Sequence, residues 1–446
     1  MNIILLSGGS GKRLWPLTND IRARQFIKLF KKPDYDDSII SEDNNYESML
    51  QRVYRQIKTI DPAAKVIVAT SRSQVSTIYN QLVDHIEISA EPYRKNTFPA
   101  IALAAAWLHD IQKMEKNEAI VVCPVDTYVE DSYFQCLHGL YDAAKQGEKK
   151  LILMGIQPTY PSEKYGYIRS VTDDGENYYF NVVEKPSAEK AKEYIKAGAL
   201  WNGGVFAFKL AYILEKSEQL LGDSDYNYLL EHYEEFNSIS FDSAVVEKEK
   251  SIEVLRYSGM WKDLGTWNTL TEAMEGTAVG DVRTNDRCTN VHIINELGIP
   301  ILGMGLHNLV VSASPEGILV SDKEQSSYIK PFVDDIDQQV MYAEKSWGNY
   351  RVLDVEEGSM TIKVTLNPRQ KMNYHSHEKR DEAWIVIDGN GIAILDGIKR
   401  NISLGDIVEM KKNMKHMVVA GENGLQLIEV QLGKEITVND KIKYNT

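Results

Sequence analysis

The chain has 446 residues, 43% hydrophobic and 26% charged, and its 64 acidic against 50 basic side chains give a formal net charge of −14. That length predicts about two to four domains with ample chain for buried cores, and the composition is globular rather than disordered. The acidic surplus disfavours broad electrostatic binding to nucleic acid or anionic lipid, while leaving room for a local basic pocket around a small phosphate ligand.

In chain order, Ile3–Leu6 is an apolar run that breaks at Ser7-Gly8-Gly9. It reads as a buried first strand and is too short for a signal peptide. Further strands are predicted at Lys65–Ala69, Ala119–Cys123 and Leu151–Gly155, and helices at Tyr46–Ile57, Ser73–Leu82, Ala100–Lys113 and Ala188–Ala197. This alternation predicts an α/β domain over residues 1–276, a mostly parallel sheet with helices on both faces. Residues 277–338 are short apolar pieces broken by Gly298, Gly303, Gly305 and Gly317, as expected of a short β-helix-like connector. Beyond the polar stretch Asp334–Gln339, alternating segments at Thr361–Leu366, Trp384–Ile387 and Leu425–Gln431 predict an all-β domain over residues 339–446. No run approaches the ~20 apolar residues of a membrane helix. The three cysteines, Cys123, Cys136 and Cys288, offer no disulfide framework, so the expected location is the cytoplasm.

Ser7-Gly8-Gly9-Ser10-Gly11-Lys12-Arg13 follows the first strand directly. Its glycines let backbone N–H groups approach phosphate oxygens, and Lys12 and Arg13 supply charge. The spacing fits neither a Walker loop nor the dinucleotide fingerprint, since Arg13 and Leu14 stand where a hydroxyl and a third glycine are needed. Taken alone, such a loop is a common strand-to-helix turn.

A series of further motifs follows in order: Arg24-Gln25-Phe26, Glu91-Pro92 with Lys95-Asn96-Thr97-Phe98-Pro99-Ala100, Pro124-Val125-Asp126, Tyr165-Gly166-Tyr167, Glu184-Lys185-Pro186, Trp201-Asn202-Gly203-Gly204 and Trp261-Lys262-Asp263-Leu264-Gly265. Singly, each has a plainer reading: a capping Asp, a solvated turn, a packing Trp. Together and in register they resemble the sugar-1-phosphate nucleotidyltransferases, specifically the mannose-1-phosphate guanylyltransferases. The resemblance implies Mg²⁺ on Asp126 and Asp263, a nucleotide against Leu6, Gly8, Gly9, Gly11, Lys12, Lys95, Asn96 and Asp126, and phosphate contacts from Arg13 and Arg24. It also implies Lys185 on the sugar phosphate, Glu184 and Asn202 on sugar hydroxyls, and close approach at Gly166. Arg13, Arg24, Lys185, Asp126 and Asp263 form the implied catalytic set. The implied substrates are a nucleoside triphosphate, GTP favoured, and a sugar-1-phosphate, mannose-1-phosphate favoured, with a homo-oligomer expected and neither nucleic acid nor membrane as partner. This sequence departs from the family pattern at Ala23-Arg24, where Pro-Lys is usual, at Lys95 for Arg, and at Thr127 for His.

His375-Ser376-His377 lies in an alternating, extended segment, so both imidazoles share one strand face. Glu382, Gly389 and a later His416 complete a pattern that resembles the cupin barrel, whose His and Glu side chains converge on one metal. Such N/O ligands suit Zn, Mn, Fe or Ni. Some long guanylyltransferases carry a cupin of this kind as a mannose-6-phosphate isomerase. Here Glu378 replaces the Arg expected directly after the second His, and Ala383 replaces a His before Trp384. Three readings stand: formation of GDP-mannose from GTP and mannose-1-phosphate, a bifunctional enzyme whose cupin also isomerises mannose-6-phosphate, or a transferase for another sugar or base with a non-catalytic sugar-binding cupin.

Overall fold

Ile3, Ile4 and Leu5 are buried because both faces of their strand, Asn2–Leu6, are covered. A computed structural model describes the chain except residues 10–11, 20, 34–44, 83–85, 174–176, 337–338, 438–439 and 445–446. In it Asn2–Leu6 pairs in parallel with Lys65–Ser71 on one side and Ala119–Pro124 on the other, and Glu87–Glu91 continues the parallel edge. Leu200–Lys209 runs antiparallel beside Ala119–Pro124 and also pairs with Leu151–Ile156 and Tyr167–Asp173. Ile252–Tyr257 lies parallel to Leu151–Ile156, and Asn177–Val183 closes the far edge. The α/β sheet is therefore mixed, parallel-rich around its first strand and antiparallel where Leu200–Lys209 enters.

Helix Thr97–Asp110 is apolar almost all round, since it packs on the sheet and against helix Leu210–Leu221 as well. Asp131–Gln146 is amphipathic and covers the other face, with Met49–Ile60 against it. The helix expected from Tyr46 begins later. Tyr46–Ser48 is instead a strand paired with Lys28–Lys31. Ser48 starts the helix because its Oγ accepts from Gln51 N at 3.2 Å while Gln51 Oε1 accepts the Ser48 N–H at 3.0 Å, a reciprocal capping box.

The chain resolves into two compact units, the first made of Met1–Ser10, Arg24–Val75 and Asp84–Glu275, the second of Gly11–Ala23, Ser76–Val83 and Gly276–Thr446. Within the second unit, three parallel ladders and one isolated parallel bridge build a small β-helix. Ala278 lies beside Ile293, Arg283 beside Leu302, Ile293 beside Val311 and, at the bridge, Thr289 beside His307, offsets of 15, 19, 18 and 18 residues. About six residues per side is the period of hexapeptide β-helices, and Val291, Ile293 and Val311 fill the interior. The C-terminal part is antiparallel throughout: Arg380–Leu395 pairs along most of its length with His416–Gly433, around a core containing Trp384, Val386, Val408, Val418 and Leu427. No helix among the described residues is long and apolar enough to cross a membrane.

Glu316 joins the β-helix to the start of the antiparallel part. It is buried and accepts from Asn19 Nδ2 at 2.7 Å and from the backbone N–H groups of Met341 and Tyr342 at 3.0 Å each. Arg22 adds a bidentate pair with Glu296, at 2.7 and 2.9 Å, and lies over the Tyr342 ring. Removing a buried carboxylate with three donors strands all three. Glu316→Ala is accordingly expected to cost about 3 kcal/mol in urea unfolding followed by calorimetry, with exposed Glu357→Ala as a near-neutral control.

Candidate functional site

The first site grows from the carboxyl ends of the central strands, where ligands of open α/β sheets bind. Leu6 ends its strand in register with Ala69 and Pro124, and its half-buried side chain packs on the core. The loop that follows is held by its carbonyls. The Gln25 amide donates to Ser7 O at 3.0 Å, the Thr70 hydroxyl to the same oxygen at 3.0 Å, and the Gln74 amide to Gly9 O at 3.2 Å. Gln25 lies in a motif noted above; Thr70 and Gln74 carry no sequence signal. A Cβ on Gly8 would lie 3.3 Å from Glu91 Oε1, so glycine keeps this carboxylate against the loop. Glu91 is buried, which pushes its carboxyl pKa up, while a 2.8 Å bond from the Tyr233 hydroxyl works against that shift. Gly11 lies outside the described residues. Lys12 and Arg13 form a short 3-10 turn of the second unit, where the Lys12 ammonium is 3.2 Å from Asp334.

Two carboxylates meet beside this loop. Thr127–Val129 pairs antiparallel with Trp261–Asp263, Thr127 opposite Asp263, which brings the preceding Asp126 next to Asp263. Arg24 bridges them, with Nη2 on Asp126 Oδ2 and Nη1 3.6 Å from Asp263 Oδ1. Burial opposes the charge on Arg24, but the fields of Asp126 and Asp263 outweigh it and raise its pKa. A Cβ on Gly265 would come within 3.0 Å of Arg24 Nη1 and 3.3 Å of both Asp263 oxygens, so this glycine makes room for the bridge. Paired carboxylate oxygens are the donors a hard cation such as Mg²⁺ prefers, so the residues fit the implied metal.

The remaining predicted residues fall into two groups. Asn96 has φ 71° and ψ −173°, a region nearly reserved for glycine, and its side chain accepts from Thr97 N at 2.9 Å to cap helix Thr97–Asp110. Lys95 Nζ donates to the Glu234 carbonyl at 2.5 Å. In the second group, a Cβ on Gly166 would collide with the Glu184 carboxylate and lie 3.3 Å from Asn202 Cβ. The Asn202 N–H donates to Gly166 O at 2.8 Å, and the Lys185 N–H to Tyr165 O at 3.2 Å with Lys185 at φ 44°. Asn202 sits just before a register break in its strand, where Gly204 takes φ 67°. The sequence reading did not single out Asp242, whose Oδ1 accepts from Asn202 Nδ2 at 2.6 Å. Burial raises the carboxyl pKa of both Glu184 and Asp242, and in Glu184 the field of Asp242 adds to it.

The second site lies in the antiparallel part. Alternation along Arg380–Leu395 turns Arg380, Glu382 and Trp384 inward, and the inward atoms of His375, His377, Glu382 and His416 all lie within 4.8 Å of one another. Each histidine commits Nδ1 to a backbone carbonyl: His375 to Asn373 O at 2.6 Å, His377 to Asp440 O at 2.9 Å and His416 to Met414 O at 2.9 Å. A carbonyl only accepts, so Nδ1 carries the hydrogen and each neutral imidazole offers its Nε2 lone pair inward, the arrangement of metal-ligating histidines. Burial, with Lys441 and His416 adding to it, pushes the His375 pKa down to about 2. The Glu382 carboxylate lies 3.0 Å from His377 Nε2 and 3.1 Å from His416 Nε2, so its oxygens face the same point as those lone pairs. Three lone pairs and a carboxylate converging in a buried space require a cation, so these four residues fit a divalent metal.

A glycine loop at the end of a parallel strand, with two carboxylates paired nearby, defines an α/β domain for phosphoryl chemistry, and the His/Glu cluster marks a cupin. Residues 2–279 match the family model for nucleotidyl transferase, and residues 334–446 match the one described as mannose-6-phosphate isomerase C-terminal. The chain belongs to the nucleotidyl transferase family. Relatives named mannose-1-phosphate guanylyltransferase include one from Salmonella montevideo, 26% identical over 99% of this chain and 98% of that protein. Another, from Escherichia coli K12, is 26% identical over 99% and 97%. A crystal structure described as mannose-1-phosphate geranyltransferase from Thermus thermophilus is 27% identical with a TM-score of 0.62, covering 75% of this chain and 98% of that one.

His416→Ala removes one of the four inward donors of the cupin cluster. Divalent-metal affinity measured by chelator competition is expected to fall at least about 100-fold, roughly 2.7 kcal/mol, with the far-UV circular dichroism unchanged.

Proposed function

We propose that this enzyme makes GDP-mannose and pyrophosphate from GTP and mannose-1-phosphate in the cytoplasm, and that the first unit carries the reaction. A phosphate oxygen of the sugar-1-phosphate attacks the α-phosphorus of the nucleotide, and the bond to the β-phosphate breaks as pyrophosphate leaves. Such a transfer depends on positioning and charge neutralisation more than on a covalent nucleophile. The observation that carries the reading is the Asp126–Asp263 pair assembled on Arg24 beside the Gly8-Gly9 loop. Asp126 and Asp263 would hold Mg²⁺, which when bound offsets the negative charge of the phosphates. Arg24, released from the carboxylates, turns its fork to phosphate oxygens, with backbone N–H groups of the loop beside it. Lys185 takes the sugar phosphate. Glu184 and Asn202 hold sugar hydroxyls over Gly166, and Asp242 keeps the Asn202 amide oriented through its 2.6 Å bond.

Full-length relatives that share the guanylyltransferase name support the choice of base and sugar. Pyrophosphate release across a matrix of nucleoside triphosphates and sugar-1-phosphates tests it: a maximum with GTP and mannose-1-phosphate is expected, and a maximum with another pair would replace the substrates while keeping the chemistry. Asp126→Asn and Asp263→Asn are each expected to lower turnover at least about 100-fold, some 2.7 kcal/mol, with the fold intact by circular dichroism. Near-normal turnover in both variants would remove the metal assignment. Lys185→Gln should raise KM for the sugar phosphate about tenfold and leave KM for GTP nearly unchanged.

The cupin supports a second activity, interconversion of mannose-6-phosphate and fructose-6-phosphate, favoured by the match of residues 334–446 and by the His/Glu cluster. His375→Ala should abolish it and spare pyrophosphate release.

A further inference from the structure

Arg380 is the buried residue of the cupin cluster that neither the histidine spacing nor the glutamate position required. Its side chain enters because it stands two residues before Glu382 on one strand, so both face inward, whereas neighbouring Lys379 faces solvent and pairs with Glu435. Inside, Arg380 Nε donates to Glu382 Oε1 at 3.0 Å, and Nη2 lies 3.2 Å from His377 Nε2. With its hydrogen on Nδ1, His377 can only accept at Nε2, so the guanidinium is the donor there. One cation thus engages donor atoms of two of the four residues that a metal would use. On its far side, Nη1 donates to Thr437 O at 2.9 Å and lies 3.5 Å from Asp440 Oδ2. Arg380 therefore has a second set of acceptors, turned away from the cluster.

We propose that Arg380 gates metal occupancy of the cupin. Guanidinium and divalent ion compete for Glu382 Oε1 and His377 Nε2, and the ion enters as the side chain withdraws towards Thr437 and Asp440. The buried positive charge also repels the incoming ion, so the cluster binds metal more weakly than its four ligands alone would. This rests on reading His375, His377, Glu382 and His416 as a metal centre.

The test uses the full-length chain, stripped with a chelator and titrated separately with Zn²⁺ and Mn²⁺ against a chromophoric competitor. Arg380→Gln is expected to bind each ion at least about tenfold more tightly than the native chain, and Arg380→Lys, which keeps charge without the fork, to fall between. Saturating metal should also raise the thermal midpoint more in Arg380→Gln than in the native protein. Arg380→Met carries the same expectation should the glutamine variant not fold. The gain must vanish when Arg380→Gln is placed on His377→Ala/Glu382→Gln, a background that lacks both groups for which the guanidinium competes. Equal or weaker binding by Arg380→Gln, with His416→Ala still abolishing it, overturns the gate alone and makes Arg380 a support for Glu382. A gain that survives in that triple variant overturns the gate and the metal-centre reading together.

Discussion

Acidic groups cannot be crowded at the end of a sheet without a positive charge to hold them there, and the first unit is organised around that requirement. Asp126 follows a central parallel strand and Asp263 ends a short antiparallel one, and the pairing of Thr127 with Asp263 brings their carboxylates together. At a few ångströms two such charges repel by about 1 kcal/mol in water and by several where water is partly excluded. Arg24 answers this from a separate turn, and Gly265 leaves it the space. The same closeness that makes the two acids repel each other gives them the paired oxygen donors that a hard divalent cation prefers.

The cupin solves an analogous problem with different parts. Its carboxylate is single, and imidazole lone pairs take the place of the second acid. Anchoring each Nδ1 to a backbone carbonyl ties ring orientation to strand geometry, so the cluster is as rigid as the sheet that carries it. Arg380 stands to Glu382 as Arg24 stands to Asp126, an internal cation that satisfies the acid.

What could be read from the sequence followed from local periodicity and from motifs that are contiguous in the chain. Strands with both faces covered, such as Ile3–Leu6, announce themselves by unbroken apolar runs, and the His-x-His pair announces a shared strand face. Short tertiary-paired elements were not legible. Tyr46–Ser48 looked helical because nothing local distinguishes it from the helix it precedes, and only pairing with Lys28–Lys31 makes it a strand. Leu200–Lys209 gave little sign of running antiparallel in the middle of the sheet, since direction is a property of partners. For the site, Gly166, Glu184, Lys185 and Asn202 sat in recognisable motifs. Asp242, Thr70 and Gln74 act through hydrogen bonds to residues distant in the chain, which no spacing encodes. Arg380 belongs to none of the motifs read from the sequence: its direction depends on strand register, which puts it beside Glu382 rather than in solvent.

The β-helix in the second unit sets a rule about chain length. Because its coils repeat at about 18 residues with equivalent positions stacked one above another, an insertion or deletion of a whole coil would change its height by one strand spacing, about 4.8 Å, and leave every side facing as before. A length change within a strand would turn apolar side chains outward, whereas the turns between strands take up coil lengths of 15 to 19 residues. Added length is therefore absorbed either as a whole rung or at a turn, making the strands of this segment a ruler whose graduations are fixed while the turns between them are not.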